Sequence, residues 1–109
     1  MAGLSEQEFR IRSDEALEEA RRRLAPLAER EGFEIELQDG TLNLLFDEPQ
    51  EERFVVSPNA PFRQIWVSAM TRGYKLAWSP ELGTFALDGE PLASLLERLA
   101  RVHLERSSG

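Results

Sequence analysis

The spacing of apolar residues changes period at Gly32, and this change restricts the possible folds more than any other feature of the chain. From Ser5 to about Arg30, apolar and small residues recur every three or four positions, which is the spacing of one long amphipathic helix. Beyond Gly32, apolar and polar residues alternate, as in strands that bury one face. A helical stripe returns after Pro91 and is formed by Leu92, Leu95, Leu96, Leu99 and Val102. The pattern therefore predicts a helix, a set of strands and a second helix.

The ends of both helices carry specific signals. Ser5, with Glu8 three residues later, matches a capping box, and Gly32 supplies a stop. Pro26 is expected to kink or loosen the last turn, because proline lacks an amide donor and crowds the preceding turn. Pro91 suits an early position of the second helix, which we expect to end near Glu105.

About six short strands are predicted between the helices, at residues 33–37, 42–46, 53–57, 63–69, 74–78 and 84–87. Asp39-Gly40 marks a hairpin turn, because type I′ turns need positive φ at both central residues. Polar segments at 47–52, 57–61 and 71–73 are expected to be turns or loops, and Asp88-Gly89 closes the last strand. Consecutive short strands favour a mainly antiparallel sheet. The predicted fold is a single α+β domain, 1–109, a two-layer sandwich with both helices on one face of the sheet.

Composition excludes several classes of protein. The chain has 13 basic and 20 acidic residues, so its formal net charge of -7 disfavours nucleic acid and anionic membranes as partners. It has no cysteine, which removes disulfides, thiolate catalysis and sulfur-ligated metals. No stretch reaches the roughly 20 apolar residues of a membrane span, and the first residues, MAGLSEQEF, lack a signal or transit pattern. We therefore expect a cytoplasmic protein.

Catalytic constellations are scarce. There is one histidine, His103, near the end of the second helix, and the serines lie mainly in turns and tails. No nucleophile with a base and an orienting residue can be assembled from them. His103 is expected to be solvated or half-packed, and the chain is predicted not to be an enzyme.

A ridge of carboxylates is predicted on the first helix. Four acidic residues fall within one sector at 100° per residue, opposite the apolar stripe: Asp14, Glu15, Glu18 and Glu19. The negative surface is expected to continue past the helix end and along the first strand through Glu29, Glu31, Glu34 and Glu36. Hard cations prefer oxygen ligands, so this ridge is a candidate metal site, and it would equally attract a basic partner.

A simpler interpretation of the ridge is a solvated face held by ion pairs. Glu18 precedes Arg22 by four residues and Glu19 precedes Arg23 by four, both in the favourable direction for a helix. The sequence leaves both interpretations open.

Trp66 lies on the polar side of the segment RQIWVSA, residues 63–69. Alternation sends Ile65 and Val67 to the helices, so Trp66 points to the open face of the sheet. Either it is covered by a loop or by Phe62, or it is an interface anchor. Tyr74 and Trp78, by contrast, share a face that is expected to be mostly core. The candidate docking patch consists of Arg63, Gln64 and Trp66.

The chain resembles the frataxin family over nearly its whole length. The resemblance is carried by the acidic first helix and by the segments FEIELQDGTLNLLF, NAPFRQIWVSA, GYKLAW and LDGEPLASLLERLA. The most specific piece is Gln64-Ile65-Trp66 with Val67-Ser68, preceded by the turn at 59–61. Two departures from the family pattern are the run Arg21-Arg22-Arg23 and Ala77, each where carboxylates are often found.

The resemblance implies a bacterial frataxin with two helices on an antiparallel sheet and a role in iron-sulfur cluster assembly. It further implies weak binding of ferrous and ferric iron on the acidic ridge and docking through Gln64 and Trp66. The implied partners are a cysteine desulfurase and its scaffold protein, with this chain as regulator, sensor or iron donor. It would be a monomer that can oligomerise with iron.

Two other hypotheses remain at this point. One is an acidic chaperone-like or adaptor module, commonly dimeric, that binds a basic or apolar peptide without metal. The other is a weak ferroxidase activity, for which one histidine and scattered carboxylates give little support.

Overall fold

The computed structural model describes residues 3–106, in which two helices pack on one face of a seven-stranded sheet. Neighbouring strands follow chain order and every pair is antiparallel. The predicted α+β sandwich is confirmed, with one strand more than expected because Glu90–Pro91 pairs with the strand before it. The elements are α1 (Glu6–Glu31), β1 (Glu34–Gln38), β2 (Thr41–Phe46), β3 (Glu52–Asn59), β4 (Gln64–Ala69), β5 (Arg72–Ser79), β6 (Thr84–Leu87), β7 (Glu90–Pro91) and α2 (Leu92–Glu105).

The start and the end of α1 follow the sequence signals. The Ser5 amide donates to Glu8 Oε1 at 2.9 Å and the Glu8 amide donates to Ser5 Oγ at 3.1 Å, which completes the capping box. Gly32 ends the helix with a φ of 82°. The helix continues through Pro26 to Glu31, so the expected loosening does not shorten it. Proline has no amide hydrogen, so the carbonyl of Arg22, four residues earlier, lacks its helical hydrogen bond. Both residues are exposed, so water can take the place of that donor.

The predicted Asp39-Gly40 hairpin is confirmed, with φ values of 54° and 74°. The turn between β4 and β5 has the same left-handed pattern at Met70 and Thr71, without glycine, at φ of 52° and 64°. The expected turn at 71–73 was therefore misplaced, since β5 already begins at Arg72.

The expected turn at 57–61 was also misplaced. β3 runs to Asn59, and Pro58 lies opposite Ile65 near the end of the ladder, where a missing donor costs at most one hydrogen bond. The chain reverses instead in a single 3₁₀ turn, Ala60–Phe62, in which the Phe62 amide donates to Asn59 Oδ1 at 3.1 Å. Arg63 follows at a φ of 52° and is not part of β4.

One core fills the space between the helices and the sheet. Tyr74 and Trp78 pack against it partly buried, as expected. The expectation for His103 was wrong, because its side chain is fully buried beside Phe46, with ring centroids 4.7 Å apart. His103 follows Leu96 by seven residues and Leu99 by four, so it continues the apolar stripe of α2.

No helix within residues 3–106 is both long enough and apolar enough to cross a membrane.

Candidate docking face and carboxylate surface

The face of the sheet opposite the helices is open, and its central row crosses three strands. Ser57 on β3 lies opposite Trp66 on β4, which lies opposite Lys75 on β5. Their neighbours along β4, Ile65 and Val67, are buried on the other face. The predicted direction of Trp66 is therefore confirmed, and its side chain is half-buried by neighbours on the open face alone.

Three neighbours hold the Trp66 ring in place. Its Nε1 donates a hydrogen bond of 2.9 Å to Oε1 of Gln64. The Phe62 ring stacks on it with centroids 5.8 Å apart and an angle of 27° between planes. The Nζ of Lys75 lies 4.9 Å from the ring centroid, within the range of a cation–π interaction. Trp66 therefore both faces outward and contacts Phe62, which is itself 65% exposed.

A shallow pocket of about 320 Å³ lies beside the indole on the same face. Eight residues line it, most of them apolar or hydroxyl-bearing and one of them a cation: Val55, Ser57, Trp66, Val67, Ser68, Gly73, Tyr74 and Lys75. Lys75 is the single lysine of the chain. Such a pocket, walled by a fixed aromatic ring, suits an apolar side chain of a protein partner with a carboxylate nearby.

Arg63, the third residue of the predicted patch, is turned toward its own chain. Its Nε donates to the Leu4 carbonyl at 3.2 Å, and its Nη1 donates to the Ala60 carbonyl. The guanidinium thereby ties the 3₁₀ turn that carries Phe62 to the segment before α1. Contact of Arg63 with a partner stays a prediction.

Lys75 and Phe62 contribute to this face although the predicted patch did not include them. The alternation of β5 places Lys75 on the same side as Ala77 and Gly73, which is the signal that would have identified it. Phe62 gives no such signal, because it lies in a turn, where neither the helical nor the strand spacing of apolar residues applies.

The eight predicted carboxylates lie at the surface, and Glu18 alone among them is half-buried. Within residues 3–106, five have no basic group within ion-pair distance: Asp14, Glu19, Glu29, Glu34 and Glu36. Each of the others has an arginine partner, Arg12 at 3.0 Å from Glu15, Arg30 at 3.6 Å from Glu31, and Arg21 beside Glu18.

The predicted pairs of Glu18 with Arg22 and Glu19 with Arg23 do not form. Arg21, three residues after Glu18, takes that carboxylate instead, and Arg23 lies 3.8 Å from Glu97 of α2. Both three- and four-residue spacings bring side chains together on a helix, so the choice depends on side-chain conformation and on α2. The hydrogen bond from Arg21 lowers the pKa of Glu18 below its ordinary value.

The carboxylates do not converge. Among residues 3–106, no group of three or more histidine, aspartate or glutamate side chains is placed to hold one metal ion. Glu34 and Glu36 lie on the same side of β1, an edge strand, where charges also oppose pairing with another sheet. A cation on this surface would be held by one or two carboxylates and by water.

Comparison with known proteins identifies the family. The model of the Frataxin-like domain matches residues 2–106. The chain belongs to the frataxin family. This frataxin is 33% identical over 68 residues to the iron-sulfur cluster assembly protein CyaY of Pseudomonas aeruginosa. The match covers 61% of this chain and 61% of the length of that relative.

A solved frataxin of Psychromonas ingrahamii has the same fold. It superposes with a TM-score of 0.64 at 15% identity, covering 96% of this chain and 93% of that chain. The resemblance to bacterial, CyaY-like frataxins found in the sequence is therefore confirmed.

Proposed function

We propose that this frataxin acts in iron-sulfur cluster assembly by docking on a cysteine desulfurase and its scaffold protein. It would serve this complex as an iron donor or as an iron-sensing regulator. Family membership and the name of the Pseudomonas aeruginosa relative support the process. The observation that carries the docking is Trp66, an aromatic ring held outward on a sheet face that neither helix of residues 3–106 covers. We place this activity in the cytoplasm.

Docking is proposed to use Trp66, Gln64, Phe62 and Lys75. Half-buried aromatic rings with a polar group on one side are typical interface anchors. Because three neighbours fix this ring, little conformational entropy is lost on binding. Retention of the desulfurase and scaffold proteins from a lysate of the source cell on the immobilised frataxin would support the proposal, and recovery of neither would contradict it.

Iron is proposed as cargo on the unpaired carboxylates near the end of α1 and on β1. Carboxylates suit ferrous and ferric iron because hard cations prefer oxygen ligands. Arg12, Arg21 and Arg30 occupy part of the ridge, so binding is expected to be weak and centred on Glu29, Glu34 and Glu36 together with water.

Anaerobic titration of ferrous iron, followed by amide NMR, tests the iron proposal. We expect broadening within residues 14–36 that Glu34→Gln with Glu36→Gln reduces. The matched control is Glu81→Gln with Asp88→Asn, which removes the same charge from two exposed turns elsewhere. Unchanged signals in residues 14–36 at saturating iron would contradict the proposal.

The role is proposed to be non-catalytic. His103 is the single imidazole of the chain and is buried in the core, out of reach of an iron ion on the ridge. Iron-dependent oxygen consumption above that of the Glu34→Gln, Glu36→Gln variant would contradict this. The family match favours this role over the chaperone-like alternative.

A further inference from the structure

Arg63 joins the turn that carries Phe62 to the segment before α1. Its Nε donates a hydrogen bond of 3.2 Å to the carbonyl of Leu4, 59 residues away in the chain, and its Nη1 donates to the Ala60 carbonyl. The side chains of Leu4 and Ala60 both pack against the core. One guanidinium therefore bridges two segments that the core already holds, and it does so with the planar fork of donors that distinguishes arginine from lysine.

The bond to Leu4 differs from the other hydrogen bonds of this turn. The Phe62 amide donates to Asn59 Oδ1 at 3.1 Å and the Arg63 amide donates to the Ala60 carbonyl at 3.1 Å, so both bonds lie within the β3–β4 hairpin. In the part of the chain that the structure describes, only the bond from Arg63 to Leu4 joins this turn to another segment. The bonds within the hairpin set the shape of the turn, whereas the bond to Leu4 fixes its position relative to α1.

Phe62 depends on the position of this turn for its contact with Trp66. The Phe62 side chain is 65% exposed, and its ring stacks on that of Trp66. A side chain with so little buried surface follows its backbone, because few other contacts hold it in place. A shift of the turn would therefore move the Phe62 ring relative to Trp66 while the core stays intact.

The Arg63 guanidinium is bound to the helix layer rather than to the docking face. Leu4 directly precedes Ser5, the N-cap of α1, and α1 packs on the face of the sheet opposite Trp66. Contact of the guanidinium with a partner on the open face would require it to leave the Leu4 carbonyl.

We propose that Arg63 is a positioning residue of the docking face, which holds Phe62 against Trp66 and does not itself contact the partner. Its effect on docking rests on the proposed function, whereas its effect on the two rings belongs to the free protein. The hydrogen bond to Leu4, the exposure of Phe62 and its stacking on Trp66 carry the proposal. Direct contact of Arg63 with a partner, which the sequence predicted, is the alternative outcome of the experiments.

NMR of the free protein tests the position of the rings without a partner. Arg63→Met keeps an apolar stem and removes the charged donors, so we expect it to lose most of the nuclear Overhauser effects between the Phe62 and Trp66 rings. Arg22→Met is the matched control, because it removes the same charge from an exposed site on α1 that has no ion-pair partner in residues 3–106. It should leave the ring contacts unchanged. Unchanged ring contacts in Arg63→Met would overturn the proposal.

Arg63→Lys is the second variant, and it carries the same comparison if Arg63→Met does not fold. Lysine keeps the charge but lacks the planar fork. We expect ring contacts weaker than in the unmodified protein, because one ammonium group does not reproduce both bonds of the guanidinium. Full retention of the ring contacts in Arg63→Lys would assign the effect to charge alone and contradict the proposal.

A double-mutant cycle in binding to the desulfurase and scaffold complex distinguishes positioning from contact. Arg63→Met should weaken docking about threefold to tenfold, the effect of losing one hydrogen bond to a charged group. In the Phe62→Ala background it should weaken docking by about twofold or less, because the ring that Arg63 positions is gone. Equal losses in the two backgrounds would show direct contact with the partner and overturn the proposal.

The positioning and the proposed function can fail separately. If Trp66→Ala leaves docking intact, the proposed function of the open face fails, and the ring contacts in the free protein still decide whether Arg63 positions Phe62. If Trp66→Ala weakens docking while Arg63→Met changes neither the ring contacts nor docking, the proposed function stands and the positioning role fails.

Discussion

The indole Nε1 of Trp66 donates a hydrogen bond of 2.9 Å to Oε1 of Gln64, two residues earlier on the same strand and the same face. The bond orients the ring before any partner arrives. Phe62 and Lys75 contact the ring from neighbouring elements, so the orientation does not depend on one contact alone.

Gln64→Leu is expected to free the indole donor without unfolding the protein. The lost hydrogen bond is worth about 1 kcal/mol or less at a partly exposed site. The Trp66 indole N–H signal should shift and exchange faster with water, and partner binding should weaken severalfold. Gln38→Leu, an exposed glutamine on β1, is the control, and an unchanged Trp66 indole signal in Gln64→Leu would show that the bond does not form in solution.

Replacing His103 by leucine is expected to stabilise the fold. Both ring nitrogens are buried without a hydrogen-bond partner in the part of the chain that the structure describes. Leaving such groups unpaired costs about 1 to 3 kcal/mol. The aromatic packing that His103→Leu removes, chiefly against Phe46, is worth only about 0.5 to 1.5 kcal/mol. Urea denaturation should therefore show a gain of about 1 kcal/mol.

His103→Gln keeps a polar group at the same place and should lower the free energy of unfolding. Loss of stability in His103→Leu together with no change in His103→Gln would show that the imidazole is hydrogen-bonded in solution.

The sequence predicted the elements and the faces, because both depend on periodicity. The outward direction of Trp66 was correct for this reason, whereas the capping box at Ser5 and the Asp39-Gly40 turn followed from the local chemistry of those residues. His103 was misjudged by its residue type, although its position in the α2 stripe indicated burial. Ion pairs were the least predictable feature, since Glu18 had arginines at both three and four residues' distance and side-chain conformation decided between them.

The turn at Met70 and Thr71 is expected to be strained. A left-handed residue other than glycine costs about 1 to 2 kcal/mol, and a β-branched residue is especially disfavoured there. Thr71 is exposed, so Thr71→Gly loses little packing and should raise the free energy of unfolding by about 1 kcal/mol.

Gly40→Ala is the converse test at a φ of 74°. Apart from Gly40 and its two chain neighbours, no atom of residues 3–106 lies within 4 Å of the added Cβ, so any loss reflects the backbone angle rather than a clash. It should lower the free energy of unfolding by about 1 kcal/mol. Thr71→Gly and Gly40→Ala are expected to change the free energy of unfolding in opposite directions. Changes in the same direction would contradict the left-handed assignment.

The stability contributed by the ion pair between Glu90 of β7 and Arg98 of α2 is expected to depend on pH. Arg98 donates hydrogen bonds of 2.9 Å to both oxygens of Glu90 and thereby lowers the pKa of Glu90 below its ordinary value of 4.5. A carboxylate whose pKa is lower in the folded protein stabilises the fold at pH values above its ordinary pKa. This contribution disappears as the pH falls through the folded-state pKa.

Glu90→Gln should therefore lower the free energy of unfolding by about 0.5 kcal/mol at pH 7, since both side chains are partly exposed to solvent. The difference from the unmodified protein should vanish at a pH well below 4.5 and shrink in high salt. A difference that persists in acid would assign the effect to packing instead of charge.

The carboxylate surface was predicted in position but not in detail. The outward faces of α1 and β1 follow from the two periods, so every predicted carboxylate lies at the surface. Which of them remain unpaired depends on Arg12, Arg21 and Arg30, whose partners the sequence does not specify. Iron binding on this surface stays a prediction.

Calorimetric titration of Trp66→Ala into the purified desulfurase and scaffold complex tests the central proposal most directly. The ring sits on the open face and supports no core residue, so the variant should fold and yet bind at least tenfold more weakly, a loss of about 1.4 kcal/mol or more. Val102→Ala truncates an exposed apolar side chain on the helix layer and should bind as the unmodified protein does. Undiminished binding of Trp66→Ala would contradict docking through the open face.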